Sequence, residues 1–276
     1  MIPFTKMHGL GNDYLFIDHW DGDEASLSQW TIAISDRHRG VGSDGVILVK
    51  RSTLTGVDLD VEIINADGSC AELCCNGLRC AMRWAKDREV VSSAEISAKT
   101  GGGIVQGVVG EDGVVTLRLP PPTWGPVAVG ATGLSGDPTP MDLGDGSHVF
   151  HLVSTGNPHA ILFGEDPRVA LSALAPLISG HDAFPAGINV HGATVISRSL
   201  IETLPCERGA GETRSCGSGA VAVAAVAMRA GWCDDEVDVR QPGGTLTVSW
   251  PDHRQSIQLR GPTAYIFNGT IHRELK

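Results

Sequence analysis

The sequence predicts an α/β fold of two pseudo-symmetric domains, each a curled sheet wrapped around a central helix. Two observations predict it: a pattern repeated at half the chain length, and a helical segment apolar on every side. Cys74 and Cys216 stand 142 positions apart in a chain of 276 residues. At that offset Gly101-Gly102 meets Gly243-Gly244, Leu117 meets Leu259, Pro120 meets Pro262, and Asn65 meets Glu207. Upstream the offset becomes 145, where Gly11-Asn12 is answered by Gly156-Asn157, each followed by an apolar, strand-like run. Self-similarity at a fixed spacing marks a repeated structural unit. Each half therefore reads as strand, turn, Cys-led helix and Gly-Gly hairpin. The second helix, AVAVAAVAMRA from Ala220 to Ala230, has one charge, Arg229, near its end and Gly231 as its stop. A helix apolar all round must be surrounded all round, and strands are what remains to surround it.

The other elements follow in order. Asp58 to Ile64 alternates as a strand with Leu59, Val61 and Ile63 on one face, ending at the turn Asn65-Ala66-Asp67-Gly68. The first-copy helix carries an apolar stripe of Leu78, Met82 and Ala85, with Arg79, Arg83 and Lys86 expected on its exposed side. Gly101 to Gly103 and Gly243-Gly244 are hairpin turns, because no Lys-Ser/Thr or βα context follows to make them phosphate loops. PPPTWGP, Pro120 to Pro126, has the composition of a linker. The expected domains are residues 1–120, with 264–276 returning to them, and residues 121–263.

Composition narrows the function. An apolar content of 42% and a charged content of 19% are those of a globular protein with a real core. A net charge of −11, with Lys and Arg scattered, argues against nucleic acid, which needs a basic face. No window reaches ~18 uncharged apolar residues, so no membrane span is expected. Met1 to Asp18 lacks a signal pattern, and the expected location is cytoplasmic. Seven cysteines, an odd count, do not make a disulfide framework. Cys70, Cys74, Cys75 and Cys80 straddle a helix start and lack the two separated pairs of a zinc site, so no metal is expected. Cys70, Cys80, Cys206 and Cys233 read as core residues, and His8 and His38 as structural ones.

Cys74 and Cys216 differ from the rest in opening helices, as Cys74-Cys75-Asn76-Gly77 and Cys216-Gly217-Ser218-Gly219. A helix N-terminus offers unpaired N–H groups and partial positive charge, and small residues there admit an anion. The same field favours thiolate and is expected to lower each thiol pKa from about 8.5 towards neutrality. Two such sites suit inversion at the α-carbon of a carboxylate. One thiolate removes the proton, the other thiol returns one to the opposite face, and the N–H groups stabilise the carbanion. His159 and Glu207 are polar groups able to adjust the proton on the second thiol.

The strings HGLGNDY (His8 to Tyr14), DRHRGVGSDG (Asp36 to Gly45), NADGS (Asn65 to Ser69), CCNGLRC (Cys74 to Cys80), STGNPH (Ser154 to His159) and ERGAGETRSCGSGA (Glu207 to Ala220) resemble bacterial diaminopimelate epimerases, in order and from Lys6 to His272. The resemblance implies an isomerase that uses no pyridoxal phosphate or other cofactor. Its fold would be two barrel-like α/β domains, with the active site between them. Its reaction would convert LL- to meso-diaminopimelate for lysine and peptidoglycan synthesis, and it would be a homodimer. By position, Cys74 and Cys216 are the two bases, assisted by His159 and Glu207. Asn12, Asn65, Asn157, Asn189, Glu207 and Arg208 match the groups that hold the distal amino-acid end. Asn76, Gly217 and Ser218 match the backbone donors to the reacting carboxylate. Cys75 stands beside them where the family usually has Gly, and Gly45 and His191 fall where other residues occur. Two alternatives stay open at this point: racemisation of another amino acid, such as histidine, on the same scaffold, and a catalytically silent binding protein. Retention of both helix-opening cysteines speaks against the second.

Overall fold

The computed structural model describes residues 1–144 and 146–272, apart from the side chains of residues 169, 170 and 173. Residues 273–276 of the expected returning tail lie outside the described residues. The chain forms two compact units, one of Met1–Leu117 with the segment from Arg260 onward, the other of Arg118–Leu259.

The first unit begins with β1 (Ile2–Gly9), β2 (Asn12–Ile17), α1 (Glu24–Ser35), β3 (Gly45–Arg51) and β4 (Leu59–Asn65). It continues with β5 (Cys70–Ala71), α2 (Cys75–Asp87), β6 (Glu95–Thr100), β7 (Gly103–Val109) and β8 (Val114–Leu119). The second unit runs through β9 (Thr123–Trp124), α3 (Gly125–Ala128), β10 (Thr139–Asp142), β11 (Ser147–Ser154) and β12 (Pro158–Phe163). Then come α4 (Pro167–Ser179), β13 (Asn189–Ser197), β14 (Leu200–Glu207) and β15 (Gly211–Glu212). After α5 (Gly217–Arg229) follow β16 (Glu236–Gln241), β17 (Gly244–Ser249) and β18 (Ile257–Pro262), and β19 (Ala264–Ile271) returns to the first unit.

The pairing repeats from unit to unit. In the first, β1–β2 is antiparallel, β2–β3 parallel, β3–β4 antiparallel, β4–β6 parallel and β6–β7 antiparallel. In the second, β11–β12, β12–β13, β13–β14, β14–β16 and β16–β17 follow the same sequence of senses. Each parallel crossover carries a helix: α1 and α4 link β2–β3 and β12–β13 and pack their own apolar clusters on the sheet, and α2 and α5 link β4–β6 and β14–β16. The two-residue hairpins expected at the glycine pairs are present: Thr100 pairs with Gly103 and Gln241 with Gly244.

The central helices explain the curl. In α5 every residue from Gly217 to Met228 is buried, and β11, β12, β13, β14, β16 and β17 all touch it. Its Ala, Val and Gly side chains are short enough to let strands approach from several sides, so the sheet bends around it. It curls without closing into a barrel. Around α2 pack β1, β2, β3, β4 and β7. Here three expectations need correction. Arg79 is wholly buried, and Arg83 and Lys86 are half-buried. The sheet wraps α2 on the side that the charges were expected to leave to water, and Arg79 is accommodated because Asn76 Oδ1 (2.8 Å) and the Cys75 carbonyl (3.4 Å) accept from it. Cys70, expected in the core, is exposed on the short β5, and Cys206 is only partly buried against the second unit's core. Part of PPPTWGP is ordered structure, since Thr123 and Trp124 pair with Ser154 and Val153 of β11.

Candidate active site

In the first unit the site is built on the tight turn between β1 and β2, where Leu10 and Gly11 adopt positive φ (56° and 86°). The turn delivers Asn12 to the start of β2. Cys74 caps α2 in extended conformation (φ −126°, ψ 106°), and its Sγ accepts from the Gly77 N–H at 3.4 Å. The Tyr14 hydroxyl donates to the same sulfur at 3.4 Å, and the thiol donates to Asn12 Oδ1 at 3.4 Å. Asn12 cannot rotate freely, because its Nδ2 donates to Asp44 Oδ2 at 2.7 Å. Burial, and then the neighbouring Cys74, push the Tyr14 phenol well above its ordinary value, so Tyr14 stays a neutral donor. Arg79 lies under this group. Burial lowers its pKa, while the thiols Cys80, Cys75 and Cys74 act in the opposite direction.

In the second unit Cys216 caps α5, again extended (φ −118°, ψ 108°). Its backbone is clamped at two points: its N–H donates to Gln241 Oε1 (3.0 Å) and Gln241 Nε2 donates to its carbonyl (3.1 Å). Its sulfur lies 3.6 Å from Ser218 Oγ, which in turn accepts from Asn157 Nδ2 at 3.5 Å. The Thr155 hydroxyl donates to the Ser218 carbonyl at 3.1 Å. A ring nitrogen from each of His159 and His191 and the Cys216 sulfur lie within 4.8 Å of one another, all three side chains buried. His159 Nδ1 and His191 Nε2 are 2.9 Å apart.

The expected lowering of the thiol pKa fails for Cys216, which is held well above the ordinary thiol value. Burial is the main cause, and the Glu207 carboxylate adds to it by charge and hydrogen bond. The Ser218 hydroxyl and the Gly219 N–H pull the other way and are outweighed. A helix terminus contributes partial charges, whereas desolvation acts on the whole thiolate charge.

The remaining candidates sort by unit. Cys75, in the usual Gly place, is buried in the first turn of α2. Asn76 is buried, its side chain given to Arg79. Asn65 ends β4 and donates to Ser69 Oγ at 3.0 Å, apart from the hydrogen bonds around Cys74. Asn189 joins two strand ends, donating to the Pro158 carbonyl (3.0 Å) and accepting from the Arg208 N–H (2.9 Å). The Arg208 guanidinium donates to the Ala186 carbonyl at 2.7 Å. Glu207 accepts from Thr213 Oγ1 at 2.5 Å. Gly217 and Ser218 form the buried first turn of α5. Sequence reasoning missed Tyr14, Asp44, Gln241 and the contact of His191. Tyr14 was within reach, since the 145-residue offset that pairs Asn12 with Asn157 also pairs Tyr14 with His159.

The fold is similar to that of a hydroxyproline epimerase from Agrobacterium vitis (TM-score 0.69, 15% identity, 98% of this chain and 90% of that one). It is also similar to a probable proline racemase from Agrobacterium radiobacter (TM-score 0.72, 15% identity, 99% and 93%). Sequence similarity is narrower. The diaminopimelate epimerase family model matches residues 4–124 and 151–266. The chain is 36% identical to the diaminopimelate epimerase of Albidiferax ferrireducens, over 98% of both chains. It is 35% identical to that of Pseudomonas entomophila, over 98% of this chain and 99% of the other. The chain belongs to the diaminopimelate epimerase family.

Proposed function

We propose that this chain is an isomerase that converts LL-2,6-diaminopimelate to meso-diaminopimelate, serving lysine and peptidoglycan synthesis in the cytoplasm as a homodimer. Family membership supports the substrate. The observation that carries the mechanism is the duplication of one device: in each unit a cysteine caps a buried central helix, and polar side chains from the sheet meet its sulfur. One thiolate takes the α-proton. The electron pair moves into the substrate carboxylate, where N–H groups of the helix N-termini accept its charge. The other thiol then gives its proton to the opposite face. The protein ends with the two thiols' protonation states exchanged, and the substrate with one centre inverted. Asn157, Asn189 and Arg208 suit a second amino-acid head, since Arg forks a carboxylate and Asn both donates and accepts.

Incubation with LL-diaminopimelate in deuterated water tests this reading. The expected product is meso-diaminopimelate carrying one deuterium at the inverted carbon, read by NMR, with no turnover of alanine, proline or histidine. Efficient racemisation of one of those three, without diaminopimelate turnover, would move the assignment to another amino acid. No helix among the described residues is long and apolar enough to cross a membrane.

A further inference from the structure

The amide of Asn12 stands between a carboxylate and a sulfur. Its Nδ2 donates to Asp44 Oδ2 at 2.7 Å, and its Oδ1 accepts from the Cys74 thiol at 3.4 Å. The two ends of an amide differ in kind, and a carboxylate, which only accepts, tells them apart. Turning the amide over would set Oδ1 against Asp44 Oδ2, lone pair to lone pair. Asn12 also hydrogen-bonds to the Tyr14 hydroxyl, but a hydroxyl both gives and takes a hydrogen bond, so Tyr14 suits either orientation. Asp44 chooses it.

Asp44 is itself held in place. Its N–H donates to the Asp13 carbonyl at 2.7 Å, the Asp13 N–H donates to the same Oδ2 at 2.9 Å, and Arg37 pairs with Oδ1 at 2.9 Å. Lys6 and Arg37 meet Asp13 in turn, at 2.9 and 2.7 Å. Titratable groups also face Cys74 from β2, the Tyr14 phenol, and from α2, Arg79 with the Cys75 and Cys80 thiols. The second unit is built without such a carboxylate. Strand registers Tyr14–Gly45 and His159–Asn189 place the buried Ile188 where the first unit has Asp44. There Asn157, the counterpart of Asn12, turns its nitrogen end to the helix start, and Nδ2 donates to Ser218 Oγ at 3.5 Å beside the Cys216 sulfur.

We propose that Asp44 is a positioning residue: by accepting from Asn12 Nδ2 it keeps Oδ1 turned to the Cys74 sulfur, where Oδ1 takes the S–H hydrogen bond and holds Cys74 as the thiol. This rests on the proposed role of Cys74 as an acid–base group. A thiolate in the same place would face the Oδ1 lone pairs, so the amide favours the state that has a proton to give. When that proton passes to the substrate carbanion, the S–H bond breaks and a C–H bond forms. The electron pair left on sulfur then accepts from the Tyr14 hydroxyl and the Gly77 N–H.

Two variants separate the amide from the charge. Asp44→Asn and Asp44→Ala remove the same negative charge, yet only the first leaves an oxygen for the two donors, Asn12 Nδ2 and the Asp13 N–H. Alkylation by iodoacetamide across pH, read by mass spectrometry with fragmentation to separate Cys74 from Cys75, gives the Cys74 titration midpoint without turnover. The midpoint in Asp44→Ala should lie about one pH unit below that in Asp44→Asn, a tenfold difference in thiolate. An equal or higher midpoint in Asp44→Ala overturns the proposal. Asn12→Ala tests the same contact with Asp44 untouched. It removes the oxygen and should bring the Cys74 midpoint below that of the parent chain; an unchanged midpoint overturns the proposal even where Asp44→Ala fails to fold. Failure of the underlying reading is separable: near-normal epimerisation by Cys74→Ala would remove the acid–base role and leave the measured midpoints standing.

Discussion

The two cysteine sites share a backbone plan and differ in what surrounds the sulfur. Asn12, Tyr14 and Cys74 in the first unit correspond to Asn157, His159 and Cys216 in the second, on strands paired in the same senses. Yet the first unit sets neutral donors and a wholly buried cation, Arg79, near its thiol. The second sets a carboxylate and two neutral imidazoles near its own. At the position of Arg79 the second helix carries the buried Val221. Two helix caps of like backbone conformation thus end in different electrostatic surroundings. The helix terminus supplies the place for the sulfur, and in the second unit burial, with the Glu207 carboxylate adding to it, holds the Cys216 thiol above its ordinary pKa. One scaffold thus holds two thiols in unlike surroundings.

The largest expected effect tests whether both sites are needed. Cys74→Ala and Cys216→Ala should each lower kcat for epimerisation by about 10²- to 10⁴-fold, the range for loss of a general acid or base. Near-normal turnover by either variant would break the comparison, leaving one thiol as bystander. Next in size is Arg208→Lys, which keeps the charge and loses the planar fork. Its kcat/KM for LL-diaminopimelate should fall at least about tenfold, equivalent to ~1.4 kcal/mol. An unchanged value would detach Arg208 from the distal head of the substrate.

A third effect concerns acid stability and separates the two units by their buried histidines. Both His159 and His191 have folded pKa values depressed below the unfolded value of about 6.5. Their contribution to stability is complete above that value. It is lost as pH falls from about 6.5 towards the folded pKa, about 3 for His191. Each should add a slope of ~1.4 kcal/mol per pH unit in that window. Urea unfolding between pH 6.5 and 4.5 should show a shallower pH dependence in His191→Gln by about one such slope. An identical dependence in variant and parent would mean that His191 is already charged in the folded chain.

How much of this the sequence contained depends on the range of the interaction. The glycine-pair hairpins, the cysteine caps and the all-buried α5 were legible because each is a local pattern or a composition. Arg79 was not. Its spacing with Arg83 and Lys86 reads as a solvated stripe, and its burial depends on acceptors one turn away and on strands that close over it. Gln241 was equally hidden, since nothing local marks a β16 side chain as the clamp on the Cys216 backbone. The raised pKa of Cys216 escaped for a related reason. A helix start is visible in the sequence, whereas complete desolvation and the approach of Glu207 exist only once the sheet has curled.

The smallest expected effect sharpens the comparison at a single methyl group. Gly77 and Gly219 occupy equivalent places in α2 and α5, and Ala in a helix is favoured over Gly by about 0.5–1 kcal/mol. Each added Cβ meets a strand side chain. At Gly77 the close neighbour is the terminal Cδ1 of Ile47 at 2.5 Å, with the next atom, on Tyr14, at 3.4 Å. A turn about one Ile47 bond relieves it. At Gly219 the methyl group would lie 2.1, 2.6 and 3.0 Å from three atoms of the His191 ring. That ring moves only as a rigid body and is held by its 2.9 Å bond to His159. Overpacking costs of about 1–3 kcal/mol should therefore be nearly cancelled in Gly77→Ala. Gly219→Ala should retain most of the cost, for a difference near ~1–2 kcal/mol in urea unfolding. Equal stabilities for the two alanine variants would show that the imidazole pair yields as easily as an isoleucine methyl, and that it is not the rigid element on which the second site is built.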